Sequence, residues 1–175
     1  MAFNRSVQDK AMGLIPMRTP TQGEVQKFVV ANGVALYPGQ PVILSSGEVT
    51  AFASGTKVLG VCLEYGLGEA DNSVEVSVCV SRDMTYKILG NDNYGDTAVV
   101  GEFCAFVDPD AVNTSTKTSA AVAGTATAVT QAVTHPMLVL GKVKSDSNAT
   151  ETVDWFEVKF FDLTLSPTLG YTLGS

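Results

Sequence analysis

Ser73-Val74-Glu75-Val76-Ser77-Val78-Cys79-Val80 is the stretch that decides the fold. Apolar and polar residues alternate strictly along it, which places its four valines on one face of an extended chain. Glu75, Ser77 and Cys79 then lie on the opposite face. Because β-branched residues also favour extended backbone, the stretch predicts a β-strand with one face toward a core.

Short β-branched runs separated by Gly, Pro, Asn and Ser continue on both sides of this strand. We predict further strands at residues 26–32, 41–44, 49–52, 58–63, 85–89, 98–107, 137–143 and 154–161. Tyr37-Pro38-Gly39-Gln40 fits a reversal with Pro second and Gly third, and Ser45-Ser46-Gly47-Glu48 fits a hairpin connection. The predicted fold class is all-β: a small antiparallel β-sandwich or β-barrel.

Length and composition narrow the class of protein. The chain has 175 residues, of which 45% are hydrophobic and only 17% charged, so it is long enough for one domain and too apolar to be disordered. Its net charge is −7, which leaves no basic face for nucleic acid. No apolar run approaches the length of a membrane span, and the first residues lack the apolar centre of a signal peptide. We therefore expect neither nucleic acid nor membrane as a partner.

Composition divides the chain into three parts. Residues 1–23 are polar, contain Gly13, Pro16 and Pro20, and have no sustained period, which predicts an N-terminal arm. Residues 24–161 form the β-rich domain, and a second lobe from residue 108 stays open as an alternative. Residues 162–175 carry no charged side chain after Asp162 and include four leucines, so this C-terminal tail either folds back on its own domain or docks on a neighbour.

Residues 111–134 are unusual because they contain seven Thr, seven Ala and a single charge, Lys117. Thr and Val favour extended structure, whereas few bulky side chains are present to anchor a core. The segment predicts either an exposed, extended excursion or a pair of weak strands.

Residues capable of catalysis are few, and we assign no catalytic residue. His135 is the only histidine, and it has no Gly-x-Ser-x-Gly elbow to serve. Cys62, Cys79 and Cys104 each lie in an apolar run, which predicts buried free thiols rather than nucleophiles or a disulfide. The Asp108-Pro109-Asp110 carboxylates are interpreted as turn formers.

Metal ligands are equally sparse, and we expect no cofactor and no structural zinc. One His and three scattered Cys provide no close ligand pair. Asp92, Asn93 and Asp96 offer oxygen ligands in a Gly-containing loop, but their spacing is not that of an EF-hand. A turn is the simpler interpretation of that loop, and a weak calcium site stays open.

One stretch carries a family resemblance. Val30-Ala31-Asn32-Gly33-Val34-Ala35-Leu36-Tyr37-Pro38-Gly39-Gln40-Pro41-Val42-Ile43-Leu44, followed by Val58-Leu59-Gly60-Val61-Cys62-Leu63, resembles the small β-domains of tailed-bacteriophage capsid decoration, or cement, proteins. In those domains a Gly-x-Pro-Val turn enters a strand, and a Gly-Val strand follows at a similar distance. The resemblance covers roughly residues 24–107; residues 108–175 match no pattern.

The resemblance implies a non-enzymatic structural protein of the virion, made in the host cytoplasm and bound to the capsid exterior. Its partners would be the major capsid protein and two further copies of itself in a homotrimer that bridges neighbouring capsid subunits. The residues from Ala2 to Glu24 would be the shell-binding arm. The candidate contact residues of arm and tail are Phe3, Arg5, Val7, Met12, Leu14, Ile15, Met17, Arg18, Leu169, Tyr171 and Leu173.

A second class of function is a head fibre or a carbohydrate- or receptor-binding surface module. Such a module needs a shallow aromatic site, and the sequence offers Trp155 and five dispersed tyrosines. Trp155 lies between Asp154 and Phe156 on a predicted strand, which favours a place in the core or at its rim. An enzyme is the third class, and it would need a site built from residues interpreted here as turns.

Overall fold

The structure, a computed structural model, describes residues 12–53, 56–90, 100–110, 112–113, 117–127, 135–148 and 151–160. It confirms the all-β fold class, with antiparallel sheets stacked as in a β-sandwich. The only helical element among the described residues is a 3-10 turn at Gln22–Glu24.

Six strands form the larger sheet, in the spatial order β1-β9-β15-β14-β10-β13. Every pair in it is antiparallel. The bounds are β1 Ile15–Pro16, β9 Thr85–Leu89, β10 Phe103–Val107, β13 Val122–Thr127, β14 Met137–Asn148 and β15 Glu151–Phe160. We call β14 and β15 together the projecting hairpin.

Five strands form the second sheet, in the order β2-β8-β6-β4-β5. Two further pairs, β3-β7 and β11-β12, form separate two-stranded sheets. The bounds are β2 Val25–Val29, β3 Ala35–Leu36, β4 Pro41–Ser45, β5 Glu48–Ala51, β6 Gly60–Cys62, β7 Gly66–Leu67, β8 Glu75–Cys79, β11 Val112–Asn113 and β12 Thr118–Ser119.

Both sheets curl without closing into a barrel. Val30, just after β2, makes an isolated parallel bridge to Val49 on β5, so the two edges of the five-stranded sheet touch. Gly90, just after β9, makes a similar bridge to Ala123 on β13.

The alternation of side chains along the strands divides the core in two. The interface core contains side chains of both sheets, for example Val61 and Cys79 with Tyr86 and Phe156, and therefore joins them. The other face of the five-stranded sheet supplies a second core, whose members are Val30, Leu36, Val42, Val49, Leu59, Cys62, Val76 and Val78, all fully buried. Both faces of β8 are thus used, because Cys79 enters one core while Val76 and Val78 enter the other.

The segments 35–42 and 60–67 form what we call the bent ribbon. Ala35 pairs with Leu67, and Val42 pairs with Gly60. On each strand, four residues lie between the Leu36–Gly66 pair and the Pro41–Val61 pair, so the register does not shift between them. The predicted turn at Tyr37–Gln40 lies in its middle and is confirmed, because Gly39 has φ +82° and the Gln40 N–H donates to the Tyr37 carbonyl at 3.1 Å. The ribbon therefore bends at this turn and then continues.

The remaining sequence predictions have mixed outcomes. The connection at Ser45–Glu48 is confirmed, with positive φ at Ser46 and Gly47. The expected pair of weak strands occurs as β11 and β12. The expectation of exposure is wrong for residues 119–124, all of which are buried. Their small side chains allow a close approach to the sheet: a Cβ on Gly124 would lie 3.0 Å from Val107 Cγ2.

Candidate interaction site

The first described segment fastens the two halves of the molecule together. β1 pairs with β9 through Ile15 and Pro16, while the Leu14 N–H donates to the Gly39 carbonyl at 2.9 Å in the bent ribbon. Leu14 itself is 1% exposed and belongs to the interface core. Residues 12–16, which we call the clasp, thus lie against the domain.

The clasp crosses two other segments of the chain at Gly13, and we call this closely packed point the crossing. A Cβ on Gly13, which has φ +66°, would lie 2.6 Å from Ser119 Cβ and would overlap the Gly39 carbonyl oxygen. The Ser119 N–H in turn donates to the Pro38 carbonyl at 2.9 Å. Three segments distant in sequence therefore meet where the bent ribbon turns, and only glycine fits at position 13.

An apolar cleft of about 170 Å³ opens beside this crossing. Its lining includes Met12, Ile15, Pro16, Pro38, Leu63 and Thr118. A cavity of roughly 150 Å³ holds a benzene-sized group, so the cleft has room for one apolar side chain. Because its lining is mostly apolar, the cleft is suited to packing against an apolar side chain rather than to proton transfer or metal binding.

A pair of tyrosines lies close to the crossing. The ring centroids of Tyr37 and Tyr65 are 5.1 Å apart, and Tyr65 is 56% exposed. Register explains the contact, because Leu36 pairs with Gly66 and the next residue on each strand is a tyrosine. Sequence reasoning missed this pair, since only the register of the bent ribbon brings the two tyrosines together.

Arg18 is engaged within its own chain. Its guanidinium forms a bidentate ion pair with Glu24, with Nη1 2.6 Å from Oε2. The Glu24 carboxylate also accepts hydrogen bonds from the Thr21 N–H at 2.9 Å and the Ser81 hydroxyl at 2.8 Å. The hydrogen bonds from Arg18, Thr21 and Ser81 hold the pKa of Glu24 well below its usual range. Through Glu24, these contacts connect Arg18, which follows β1, to Ser81 in the turn after β8.

The predicted contact residues separate into three groups. Met12, Leu14 and Ile15 line the cleft, although the side chain of Leu14 lies inside the protein. Met17 and Arg18 lie on the surface beyond the cleft, and Met17 is 43% exposed. The remaining predictions fall outside the described residues: Phe3, Arg5, Val7, Leu169, Tyr171 and Leu173.

The cysteines are free and buried, as predicted. Burial raises the pKa of the Cys62 thiol to about 11 and that of Cys104 to about 12. The Cys62 thiol donates to the Glu64 carbonyl at 3.0 Å. Both thiols are therefore protonated at neutral pH and are poor nucleophiles.

The other candidate catalytic residues are dispersed. His135 is half-buried just before β14, while Asp108 and Asp110 are exposed in a turn where Asp108 has φ +47°. The loop with Asp92, Asn93 and Asp96 lies outside the described residues. Within the described ranges, no group of three or more His, Cys, Asp or Glu residues could hold a metal ion.

Trp155 packs at the rim of a small third cluster formed with Leu89, Ala120 and Val122. The ammonium nitrogen of Lys87 lies 5.3 Å from the centroid of its ring. A cation already covers this ring, which makes it a poor stacking platform for a sugar.

The part of the chain that is described contains no helix of the length and apolarity needed to cross a bilayer.

Comparison with known proteins finds no matching family model and no matching curated sequence.

Proposed function

We propose that the protein is a non-enzymatic structural protein that binds the outer surface of a tailed-bacteriophage capsid and stabilises it by bridging neighbouring major capsid subunits. The observation that carries the proposal is the clasp. A bridging protein must transmit force from its contacts into its own fold, and Leu14 anchors the N-terminal segment in the core that joins both sheets.

The position of the clasp supports an arm that consists of the residues before Met12. Eleven residues precede Met12, and a fully extended chain of that length reaches at most about 40 Å. That length exceeds the radius of gyration of a domain of this size, which is roughly 16 Å. Residues 1–11 are therefore long enough to contact a neighbouring subunit while the clasp keeps them attached.

The surface next to the clasp has the composition of a contact surface. Met12 is 39% exposed and Met17 is 43% exposed, and both lie beside the apolar cleft or the β1 edge. Flexible thioethers adapt to irregular partner surfaces. Burying these uncharged side chains in a capsid contact would remove apolar area from water.

A homotrimer on the virion exterior completes the proposal, with assembly following synthesis in the host cytoplasm. Three arms on one trimer bind with an effective concentration set by their common attachment, so modest contacts add to a strong association. The protonated thiols and turn-located carboxylates support a role without chemistry.

The test uses a deletion that stops before the anchor. Undecorated heads assembled from the major capsid protein of the same genome are sedimented with the full chain and with a chain lacking residues 1–11. We expect the full chain to co-sediment, and the deleted chain to keep its melting temperature and lose binding. A full chain that stays in the supernatant overturns the capsid proposal, whereas undiminished binding by the deleted chain removes the role of the arm.

A carbohydrate- or receptor-binding module is the second candidate, and the Tyr37–Tyr65 pair favours it. Tyr65 offers an exposed ring that packs against the ring of Tyr37. Glycan-array binding that disappears in Tyr65→Ala, with head sedimentation unchanged, would select this function. Leu67→Ala, which alters an exposed side chain two residues further along the same segment, is the matched control.

A further inference from the structure

The sequence of the C-terminal tail alternates strictly between apolar and small residues. From residue 163 to residue 174 the odd positions are Leu, Leu, Pro, Leu, Tyr and Leu, and the even positions are Thr, Ser, Thr, Gly, Thr and Gly. An extended chain with this pattern has one apolar face and one face of small side chains. Such a segment is stabilised when its apolar face lies on an apolar surface of the protein.

The cleft beside the crossing provides an apolar surface of this kind. None of the described residues that line it is charged, and its lining includes the buried Leu14 and Cys62. The clasp offers no backbone donor at two successive even positions, because the Leu14 N–H already donates to the Gly39 carbonyl and Pro16 has no N–H. An occupant of the cleft is therefore held by an inserted side chain rather than by strand pairing at these positions.

The tail begins close to this cleft. Tyr86 on β9 pairs with Pro16 on one side and with Val158 on the other. Two strand spacings, or about 10 Å, therefore separate Val158 from Pro16, which lines the cleft. β15 ends at Phe160, and fifteen residues follow it. A fully extended chain of that length reaches at most about 50 Å, so the tail is long enough to reach the cleft of its own chain.

The tail has to turn back in order to lie along the clasp. β1 and β15 are both antiparallel to β9, so they run in the same direction, and the cleft extends back along the clasp to Met12. Ser166-Pro167 is a dipeptide that favours a turn. The half of the tail after this turn carries Leu169, Tyr171 and Leu173 at alternate positions. These are the side chains that a reversed tail brings to the cleft.

The other segments outside the described residues fit the cleft less well. Residues 1–11 contain three charged side chains, and residues 91–99 contain two. Residues 114–116, which precede Thr118 in the cleft lining, are Thr-Ser-Thr. Residues 128–134 have no apolar side chain larger than valine. The tail is the undescribed segment that combines large apolar side chains with the absence of charge.

We propose that the C-terminal tail docks on the clasp of its own chain, with residues 169–173 extended and one of their large apolar side chains in the cleft. Because the tail is tethered, its effective concentration at the cleft is on the order of millimolar, which favours it over the tail of another copy. The docked tail leaves the residues before Met12 available for the contacts of the proposed function, on which this inference does not rest.

Protection of the tail from chymotrypsin, which cleaves after Leu and Tyr, tests the docking. The purified full chain and a synthetic peptide of residues 162–175 are digested in parallel, and loss of the C-terminal residues is followed by mass spectrometry. Cleavage in the tail should be about tenfold or more slower in the full chain, because burial of one large apolar side chain shifts the docking equilibrium by at least that factor. The rate should not depend on protein concentration, since tail and cleft belong to one chain.

A matched pair of substitutions tests the cleft. Met12→Glu and Leu44→Glu alter side chains that are 39% and 36% exposed, and of the two only Met12 lines the cleft. Met12→Glu should raise the cleavage rate of the tail toward that of the peptide, because a docked tail would take the new charge out of water. Leu44→Glu on β4 should leave the rate unchanged. The melting temperature of each variant shows that the domain is folded.

A second pair of variants changes the tail alone and leaves the described domain intact. Combined Leu169→Ser, Tyr171→Ser and Leu173→Ser removes the apolar face of the docked half. Thr168→Ser with Thr172→Ser alters the opposite face. Only the first variant should show faster cleavage at the remaining leucines of the tail, by about tenfold. This comparison keeps the proposal testable if Met12→Glu does not fold.

Four results would overturn the inference. A tail that is cleaved as fast in the full chain as in the peptide is not docked. Equal cleavage of folded Met12→Glu and Leu44→Glu places the tail outside the cleft, and equal cleavage of the two tail variants excludes docking by the apolar face. Protection that grows with protein concentration comes from a second copy. Head sedimentation is a separate measurement, so a chain that binds heads with an unprotected tail refutes only this inference.

Discussion

The bent ribbon and the projecting hairpin are both antiparallel two-stranded ribbons, and they differ in what surrounds them. The bent ribbon keeps one register and has no room to spare, since a Cβ on Gly60 would overlap the carbonyl oxygen of Cys79. The hairpin shifts register twice, and a Cβ on its Gly141 would meet nothing within 4 Å. The bent ribbon is closely packed by its own chain at Gly60, whereas the hairpin has open space at Gly141.

This difference separates residues that build the fold from residues available for contacts. Leu36 on the bent ribbon is fully buried, whereas Leu140 on the hairpin is 38% exposed. Aliphatic side chains left in water do not stabilise the isolated domain. The exposed part of Leu140 on the hairpin is therefore not explained by the stability of the domain.

Gly60→Ala should give the largest effect. The new methyl group would overlap backbone, which cannot rotate away as a side chain can, so we expect a loss of more than about 3 kcal/mol in the free energy of unfolding. Gly141→Ala places the same methyl group in open space and should change stability by less than about 0.5 kcal/mol. Urea unfolding measures both variants. Equal losses would mean that the two ribbons are packed alike.

Leu36→Ala sharpens the comparison at the level of side chains. Leu36 is 0% exposed in the core of the five-stranded sheet, and its truncation should cost about 3 kcal/mol. Leu140→Ala should cost less than about 0.5 kcal/mol, because the side chain of Leu140 is already partly in water. Thermal unfolding gives both values, and a large loss for Leu140→Ala would place that residue in the fold rather than on a contact surface.

Period-two patterning made most of the fold predictable. The alternation at residues 73–80 predicted β8, and the two turn sequences predicted the bend of the ribbon and the β4-β5 hairpin. Two-residue strands such as β1, β3 and β7 were missed, because two residues are too few to show a period. The burial of residues 119–124 was missed because small side chains indicate weak anchoring unless the facing surface is known.

The candidate site was less predictable, because its residues come from three distant segments. Apolar residues in a Pro- and Gly-containing segment predicted a contact arm, yet Leu14 from the same segment is a core residue. The reason is its fixed place: Ile15 pairs with Lys87 on one side, and the Leu14 N–H binds the bent ribbon on the other. Neither partner can be identified from spacing. The Tyr37–Tyr65 pair likewise depends on a register that no single segment encodes.

The smallest expected effect appears at alkaline pH and concerns Cys62, on the bent ribbon. Burial raises the pKa of its thiol from 9.0 to about 11. Below pH 9 both the folded and the unfolded chain keep the proton, so its contribution to stability is complete. Between pH 9 and 11 only the unfolded chain loses the proton, so the free energy of unfolding should fall by about 2 kcal/mol on account of this one group.

Urea unfolding at several pH values between 8 and 11 measures this loss, and Cys62→Ala isolates it. The variant is less stable at every pH because it leaves a cavity, but its free energy of unfolding should fall less steeply with pH than that of the wild type. Cys104 is buried in the interface core, and its pKa is raised to about 12. It contributes equally to the pH dependence of the free energy of unfolding in both proteins. Identical slopes would mean that water reaches Cys62 through the cleft, and the bent ribbon would then be as open to water there as the projecting hairpin is at Gly141.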